Sequence, residues 1–503
     1  MLTEDQSDAV AFLSDPGTYG LQGEVEAIET HISRIFLVGD RAFKMKRAVK
    51  LPYVDFSTAA VRRAACEKEV EFNAPGAPGL YLGIREIRRA PDGTLGFGGE
   101  GRLVDAVVEM VRFDQAQLAD RMALAGQLTP GLMTDIARMI ARFHDAAPVA
   151  HAGGGAANIA AVLSINEAGF ATSHVFGTEE VQALALKFRD RLAVHAARLD
   201  RRETAGKVRR CHGDLHLRNI CILDGEPRLF DCIEFNDQIA TVDTLYDLAF
   251  LLMDLWHRGF RQFANLVANR YLDQTDNEDG FVLLPFFMAV RAAVRAHVTA
   301  TQVEEGSSNA DALIREARSY FSLAGELLGD GTPALVAIGG LSGSGKTTVA
   351  DALAPRLGLP PGARIVESDR IRKAMHGVSA ETRLPATAYR PEVSETVYRE
   401  MARRAGAILG DGGTVVADAV FDKPAHREMI EMAARLHKAP FAGIWLETAA
   451  GVLRERVAAR RAGQSDADLA VLDLQLAKMP EAVGWRKLDA AQPVQALVEQ
   501  VLE

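Results

Sequence analysis

The sequence predicts a protein of mixed α/β and α+β class. A strand-rich lobe and a helix-rich lobe precede a three-layer α/β/α domain with a parallel sheet. Three observations predict this arrangement. Residues 25–115 alternate between apolar and polar side chains, as half-buried strands do. Residues 130–330 are mostly helical in period. The short apolar run 334–338 that follows is typical of a buried parallel strand.

The chain has 503 residues, enough for two to four domains at roughly 100–200 residues each. The clearest boundary is Gly329-Asp-Gly-Thr-Pro333, where turn-forming residues end a helical run. We therefore predict one domain over 1–329 and a second over 333–503. Within the first, the small lobe is predicted over about 20–115 and the helical lobe over about 116–329.

The composition is that of an ordinary globular protein, with 48 % hydrophobic and 25 % charged residues. A formal net charge of −10 disfavours nucleic acid as a partner, because phosphate backbones are bound by clustered positive charge. The four cysteines form no Cys-x-x-Cys pair. The acidic N-terminus lacks a signal-peptide pattern, and the most apolar run, Leu245–Trp256, is interrupted by two aspartates. We expect a cytoplasmic protein without membrane association.

The strongest motif is Gly340-Leu-Ser-Gly-Ser-Gly-Lys-Thr347, which fits the P-loop pattern G-x-x-x-x-G-K-[ST]. Its glycines let successive backbone N–H groups converge on phosphate oxygens. Lys346 is predicted to contact the β- and γ-phosphates of ATP during transfer, and Thr347 to ligate Mg²⁺. The predicted nucleotide-binding residues of this segment are Gly340, Ser342, Gly343, Ser344, Gly345, Lys346, Thr347 and Thr348.

Further residues in this domain indicate phosphoryl transfer. Two apolar strands are predicted to end in Asp369 and Asp418, where open α/β sheets bind ligands. Asp369 is suited to accept a proton from an acceptor hydroxyl, Arg372 to hold a negatively charged substrate group, and Asp418 to hold Mg²⁺. Arg456 and Arg460 share a helix face and could close over the transferring phosphate. The alternatives are helix N-caps for the aspartates and a solvated basic face for the arginines.

Residues 333–503 resemble small P-loop kinases related to gluconate kinase, zeta toxins, chloramphenicol phosphotransferase and the kinase half of phage polynucleotide kinase. The P-loop carries the resemblance together with Ser368-Asp369, Arg372, Asp418-Ala-Val-Phe421 and the arginine-rich helix. The resemblance implies that Asp369 is the general base and that Arg372 binds substrate phosphate, as in some members.

A second motif is Cys211-His-Gly-Asp-Leu-His-Leu-Arg-Asn219, followed by a short strand and Leu229-Phe-Asp231. This is the arrangement of a kinase catalytic loop. Asp214 would orient or deprotonate the acceptor hydroxyl, while Asn219 and Asp231 would ligate Mg²⁺.

Residues of about 20–325 resemble aminoglycoside phosphotransferases and choline-kinase-like enzymes, which share the bilobal protein-kinase-like fold. By this resemblance Lys44 contacts the nucleotide phosphates and Glu69 pairs with it. Lys46 lies on the same strand face and leaves a two-residue ambiguity. The resemblance also makes His212 and Asp247 structural supports of the loop.

The pattern departs from the family in two places. No G-x-G-x-x-G precedes Lys44, and Asp231 is followed by Cys-Ile-Glu, so that Glu234 could be an extra metal or substrate contact. Lys44 and Glu69 could alternatively form a surface ion pair, and His216 is expected to be a hydrogen-bonded loop residue.

These features predict a bifunctional ATP-dependent phosphotransferase with two ATP/Mg²⁺ sites and small-molecule hydroxyls as acceptors. One alternative is a P-loop ATPase switch with a partner-binding kinase-like lobe. Another is a polynucleotide 5′-hydroxyl kinase or repair factor. Acceptor specificity is expected to reside in the helical segments 155–205 and 375–395.

Overall fold

The structure is a computed structural model that describes residues 3–20, 23–30, 32–51, 54–151, 153–304, 309–459, 466–478 and 483–503. The chain forms two compact units. Unit 1 comprises Met1–Val162 and Ala196–Asp254, and unit 2 comprises Leu163–His195 and Leu255–Glu503. The domain ranges predicted from the sequence, 1–329 and 333–503, remain a prediction. The compact units are divided elsewhere, because residues 255–328 group with the P-loop region.

Unit 1 contains a six-stranded antiparallel sheet in the order β1-β2-β3-β8-β6-β7 and three two-stranded ribbons, β4-β5, β10-β11 and β9-β12. The strands are β1 Glu26–Glu29, β2 Ser33–Val38, β3 Arg41–Lys46, β4 Lys50–Leu51, β5 Val54–Asp55, β6 Tyr81–Arg89, β7 Leu95–Phe97, β8 Arg102–Val111, β9 Val208–Arg210, β10 Ile220–Leu223, β11 Glu226–Leu229 and β12 Thr241–Asp243. The segment Val38-Gly-Asp-Arg-Ala42, whose sequence pattern predicts a hairpin turn between two strands, forms the turn of the β2–β3 hairpin.

The helices up to residue 257 are α1 Ser7–Ser14, α2 Ala59–Asn73, α3 Ala119–Leu124, α4 Pro130–Ala146, α5 Gly155–Ala171, α6 Thr178–Thr204, α7 Asp237–Ala240 and α8 Thr244–His257. Helix α2 begins after Thr58, whose side chain accepts the Val61 N–H. Helices α1 and α2 cover opposite faces of the large sheet.

Strand alternation assigns each residue of β3 to one of these faces. Phe43 and Met45 pack with α1, whereas Ala42 packs with Cys66 of α2. Lys44 and Lys46 lie two and four residues after Ala42 and therefore share its face of the strand. Both lysines thus point toward α2. The pleat of one strand therefore brings the two lysines to the helix that carries Glu69.

Unit 2 contains a five-stranded parallel sheet in the order β14-β15-β13-β16-β17. Its strands are β13 Leu335–Gly340, β14 Arg364–Glu367, β15 Val415–Asp418, β16 Phe441–Glu447 and β17 Arg486–Asp489. The remaining helices are α9 Arg261–Gln274, α10 Leu284–Glu304, α11 Ala310–Leu327, α12 Lys346–Leu353, α13 Ser368–Met375, α14 Pro391–Gly410, α15 Pro424–Leu436, α16 Ala450–Ala458, α17 Leu469–Ala477 and α18 Val494–Leu502.

The buried side chains of β13, β15 and β16 form the centre of this unit's core with α12 and α18. Continuous apolar runs suit strands that are covered on both faces. The stretch Glu278–Glu304 is long and apolar enough to cross a membrane, but 67 % of its apolar window is buried in the protein, as in the core helix of a globular domain. This stretch is therefore weak evidence for a membrane span.

Burial of His297 on α10 generates a prediction about pH. The ring lies 5.8 Å from that of Phe170, and its Nε2 has no hydrogen-bond partner within the described residues. Desolvation lowers the pKa of His297 to about 4 from 6.5. The folded state therefore disfavours the charged ring, and stability present above pH 6.5 is lost as the pH falls toward 4. At pH 5 this amounts to roughly 2 kcal/mol.

We expect His297→Gln, which cannot titrate, to lose less thermal stability than the wild type between pH 7.5 and pH 5. Circular dichroism melts of both proteins at the two pH values would measure this. Parallel losses would contradict the assignment.

Candidate active sites

In unit 1, a buried carboxylate lies between two lysines. Glu69 has no exposed surface. Its Oε1 lies 2.8 Å from Lys44 Nζ and its Oε2 lies 2.5 Å from Lys46 Nζ. Burial alone would raise the pKa of Glu69, but the two ammonium groups lower it to about 2. This pair is thus not the surface ion pair that the sequence left as an alternative.

The second partner of each lysine distinguishes the two. Lys44 also contacts Asp231, whereas Lys46 contacts Glu234. Lys44 is therefore the lysine that joins Glu69 to the predicted metal ligand. Glu234 is nearly fully buried, and Lys46 neutralises it there.

Asp214, the predicted base, lies in the loop that precedes the short turn Leu217–Asn219. The Asn219 side-chain amide donates to the Asp214 carboxylate at 3.0 Å and to its backbone carbonyl at 2.9 Å. His216 Nε2 lies 3.3 Å from the same carboxylate. The predicted base and the predicted metal ligand Asn219 are thus brought into contact, five residues apart in sequence.

Asp247 holds the start of this loop. Its carboxylate accepts the backbone N–H groups of His212 at 3.2 Å and Gly213 at 2.8 Å, and it lies 3.1 Å from His144 Nε2. His212 Nε2 donates to the Phe230 carbonyl at 3.0 Å, while Nδ1 accepts the Asp214 N–H at 3.3 Å. Burial lowers the pKa of His212, consistent with this neutral tautomer. Sequence reasoning missed His144, which lies more than 100 residues before Asp247.

Asp231 occupies a left-handed backbone conformation, with φ of 61°. Aspartate tolerates this region better than bulkier residues do, but a non-glycine residue there needs support. Its N–H donates to the Tyr81 hydroxyl at 3.0 Å, and the next N–H, of Cys232, donates to Asn73 at 2.8 Å. Residues of β6 and α2 therefore fix the turn that directs the Asp231 carboxylate to Lys44.

These groups border a cavity of about 510 Å³. Its polar wall contains Lys44, Asp214, Asn219 and Asp231. Its apolar wall includes Ile28, Ile35, Leu37, Met110, Val111, Leu118 and Phe230. The volume and the contrast between apolar and polar walls are those of a small-molecule site. The oxygen atoms of Asp214, Asn219 and Asp231 are the donor type that Mg²⁺ prefers.

In unit 2, the P-loop connects β13 to α12, which begins at Lys346. A side chain at Gly340 would come within 2.6 Å of the Leu446 carbonyl, and one at Gly343 within 2.9 Å of the Leu453 carbonyl. Both glycines have positive φ, of 144° and 85°. Only glycine fits this close approach. Lys346 Nζ lies 3.1 Å from the Leu341 carbonyl of the same loop.

The Thr347 hydroxyl donates to Asp418 at 2.7 Å. The two predicted metal ligands therefore meet where α12 begins and β15 ends, as oxygen donors suited to Mg²⁺. Burial raises the pKa of Asp418 to about 6, although Lys346 opposes the shift. Glu367 on the neighbouring strand was missed by sequence reasoning. Burial and the Asp418 charge raise the pKa of Glu367 to about 8.

Asp369 and Arg372 border a second cavity, of about 410 Å³. One detail of the prediction is wrong: β14 ends at Glu367, and Asp369 lies in the first turn of α13. The carboxylate there is favoured by the helix dipole. Arg372 is buried, donates to the Ala388 carbonyl at 2.8 Å and stacks over Tyr389 at 4.7 Å.

Segments 383–394 and 466–475 contribute to the same cavity, and Asp466 joins them by accepting the Tyr389 hydroxyl at 2.6 Å. Residues 375–395, predicted to shape acceptor specificity, thus overlap the wall that faces Asp369. Their role in specificity remains a prediction.

Of the two predicted lid arginines, Arg456 donates to the Ala490 carbonyl at 3.0 Å and lies 3.5 Å from the Gly343 carbonyl of the P-loop. Arg460 lies outside the described residues. Gln475 on α17, which the motif comparison did not single out, accepts the backbone N–H of Ser342 at 2.9 Å. Two helices therefore contact the P-loop, α16 through Arg456 and α17 through the Gln475 amide.

Comparison with known proteins agrees with this division of the motifs. Residues 90–281 match the family model described as "Phosphotransferase enzyme family". Residues 335–482 match the model described as "AAA domain". An uncharacterized protein of Mycobacterium tuberculosis is 28 % identical over 486 residues, which cover 95 % of this chain and 94 % of that protein.

Two solved structures are among those to which this chain is similar. A sugar kinase from a Janibacter species is 23 % identical, with a TM-score of 0.27, covering 34 % of this chain and 92 % of its own. A choline/ethanolamine kinase family protein from Mesorhizobium loti is 13 % identical, with a TM-score of 0.40, covering 64 % of this chain and 98 % of its own.

The predicted resemblance is confirmed by the two family matches: residues 90–281 of this chain match the phosphotransferase enzyme family, and residues 335–482, which contain the P-loop and lie in the unit with five parallel strands, match the AAA domain model.

Proposed function

We propose that the protein is a bifunctional ATP-dependent phosphotransferase with one ATP/Mg²⁺ site in the N-terminal part of the chain and one in the P-loop region. The observation that carries the proposal is that each of two cavities lies beside its own group of predicted phosphoryl-transfer residues. Asp214, Asn219, Asp231 and Lys44 border one cavity. In the other region the P-loop is joined to Asp418 through Thr347, and Asp369 borders the neighbouring cavity.

In the N-terminal site, Asp214 would orient the acceptor hydroxyl and take its proton as the new O–P bond forms. The bond between the γ-phosphorus and the β–γ bridging oxygen breaks, and ADP leaves with that oxygen. Lys44 would hold the nucleotide phosphates, and Glu69 would keep the lysine in place. Asn219 and Asp231 would hold Mg²⁺, which would neutralise phosphate charge when bound.

In the C-terminal site, the P-loop N–H groups and Lys346 would bind the phosphates, with Thr347 and Asp418 holding the metal. Asp369 would accept the proton of an acceptor hydroxyl bound in the 410 Å³ cavity. Arg372 would contribute positive charge to the acceptor's side of that cavity. Positioning and charge neutralisation supply most of the catalysis in such reactions.

The proposed partners are small-molecule acceptors with hydroxyl groups, and the proposed location is the cytoplasm. The net charge of −10 argues against a polynucleotide 5′-hydroxyl kinase. The description "AAA domain" favours one second candidate, a P-loop ATPase switch with a partner-binding N-terminal region. The two candidates differ in whether a phosphorylated acceptor forms.

Paired variants would assign each activity to its site. We expect Asp214→Asn and Lys346→Ala each to abolish one set of phosphorylated products from a metabolite extract incubated with ATP and Mg²⁺. Removing a positioned base costs on the order of 10²–10⁴-fold in rate. Mass spectrometry of the products would measure the loss.

Asp224→Asn, on the exposed β10–β11 turn, and Lys68→Ala, on the exposed face of α2, are matched controls and should leave all products unchanged. Phosphate release without any phosphorylated acceptor would favour the ATPase switch. Products insensitive to both active-site variants would exclude the proposed function.

Lys44 and Lys46 should differ in what they contribute. We expect Lys46→Met to lower the free energy of unfolding by about 3–5 kcal/mol, since Glu234 would be left buried beside Glu69 without its cation. Lys44→Met should mainly weaken nucleotide binding, because Lys44 extends to Asp231 at the proposed phosphate site. Denaturant unfolding and titration with a fluorescent ATP analogue would separate the two effects, and an inverted order would contradict the assignment.

A further inference from the structure

One face of helix α9 is bound to the edge of the P-loop sheet. Asn265, Asn269 and Asp273 recur every four residues, so they share this face. The Asn265 amide donates to the carbonyls of Pro361 and Ala363, both at 3.0 Å. These contacts place the start of α9 against the chain that leads into β14.

Asn269 continues the contact along the strand. Its side-chain oxygen accepts the Ile365 N–H at 2.7 Å, and its amide donates to the Ala363 carbonyl at 3.3 Å. Because β14 is the edge strand of the five-stranded sheet, its outer N–H and C=O groups lack a neighbouring strand. Asn269 supplies the donor and acceptor that such a strand would offer.

Asp273 adds a buried charge cluster. Its carboxylate lies 2.8 Å from Arg364 on β14 and 3.3 Å from Arg370 on α13. Glu278, just beyond the helix, lies 3.0 Å from Arg364. Arg364 and Arg370 are both more than nine-tenths buried. Each guanidinium therefore depends on these carboxylates for compensation.

The two arginines that contact Asp273 lie on either side of the predicted base, Asp369, in the sequence. Arg364 is the first residue of β14, and Arg370 directly follows Asp369. Arg370 also holds Glu367, the last residue of β14, at 3.0 Å. A short segment that contains Asp369 thus runs between two arginines held by one carboxylate of α9.

We propose that α9 is a positioning element of the C-terminal site, in which Asn269 and Asp273 hold the β14–α13 segment so that Asp369 faces the acceptor cavity. This inference rests on the proposed function of Asp369 as the base. Helix α9 lies within residues 90–281, which match the phosphotransferase family. The N-terminal family region therefore supplies part of the framework of the P-loop site.

The test uses the full chain and Asp273→Asn, which removes the charge at nearly constant volume. The matched control is Asp311→Asn, at the exposed start of α11. The probe reaction is Lys346-dependent phosphate release from Mg·ATP, with water as the acceptor. We expect kcat to fall about tenfold or more and KM for ATP to change less than about twofold, because displacement of a catalytic group affects the transfer step.

Amide hydrogen exchange supplies a readout independent of turnover. In Asp273→Asn, exchange in peptides covering 364–375 should accelerate about tenfold, while the P-loop helix α12 keeps its protection. If Asp273→Asn does not fold, Asn269→Ser is the second variant. It removes the side-chain amide that pairs with the strand and leaves the charges in place.

An unchanged kcat, a loss confined to KM, or faster exchange throughout unit 2 would overturn the proposal. If the wild type shows no Lys346-dependent turnover of ATP either with water or with the metabolite extract as acceptor, the proposed function of the P-loop site fails. The exchange result then tests by itself whether α9 holds the β14–α13 segment. Faster exchange confined to 364–375 supports this, and unchanged exchange there overturns it.

Discussion

The carboxylate of Glu69 lies between the ammonium groups of Lys44 and Lys46, without exposed surface. A charge buried in this way is tolerated only with close partners, so the ion pairs fix α2 relative to β3. The same constraint places Lys44 against Asp231 and Lys46 against Glu234. The position of the predicted phosphate-binding lysine thus depends on a network that extends from the sheet to the predicted metal ligand.

In unit 2 the buried charge is positive and its partners are negative. The Arg364 guanidinium is buried there, and it lies near carboxylates from α9 and from the segment that follows α9. The first network reaches the wall of its cavity through Lys44 and Asp231, whereas Asp273, Glu278 and Arg364 are not among the residues that line the second cavity. In both networks the charges are largely compensated by one another. The networks therefore hold backbone and side chains in place while Asp214 and Asp369 remain directed to the cavities.

The sequence predicted the parts of each site that are local in the chain. The P-loop glycines, the Asp214–Asn219 spacing and the β2–β3 hairpin are patterns of a few residues with a direct geometric meaning. Lys44 and Lys46 could not be distinguished, because a strand presents both on one face. Only the tertiary contacts of Lys44 with Asp231 and of Lys46 with Glu234 separate them.

Long-range polar contacts were missed for a related reason. His144 and Glu367 have no motif, and each acquires its role from a residue distant in sequence, Asp247 and Asp418 respectively. Asn265, Asn269 and Asp273 did have a signal, a four-residue spacing of polar groups on one face of a helix. That spacing usually indicates a solvated face, because buried amides are costly without partners. In this protein the partners are backbone groups on the outer edge of β14 and in the chain that leads into it.

The contact between α9 and the edge of β14 affects how the predicted domain boundary at 329–333 is interpreted. Gly and Pro mark the end of a helical run there, but a turn in sequence need not separate two cores. The P-loop sheet ends in a strand whose outer groups are satisfied by α9, some 60 residues before that turn. Without α9, the edge of β14 would lose these hydrogen bonds and Arg364 would lose the carboxylate of Asp273. Segment 329–333 therefore separates the catalytic-loop motif from the P-loop motif in sequence. The structure that supports the P-loop sheet nevertheless includes α9, which precedes this segment.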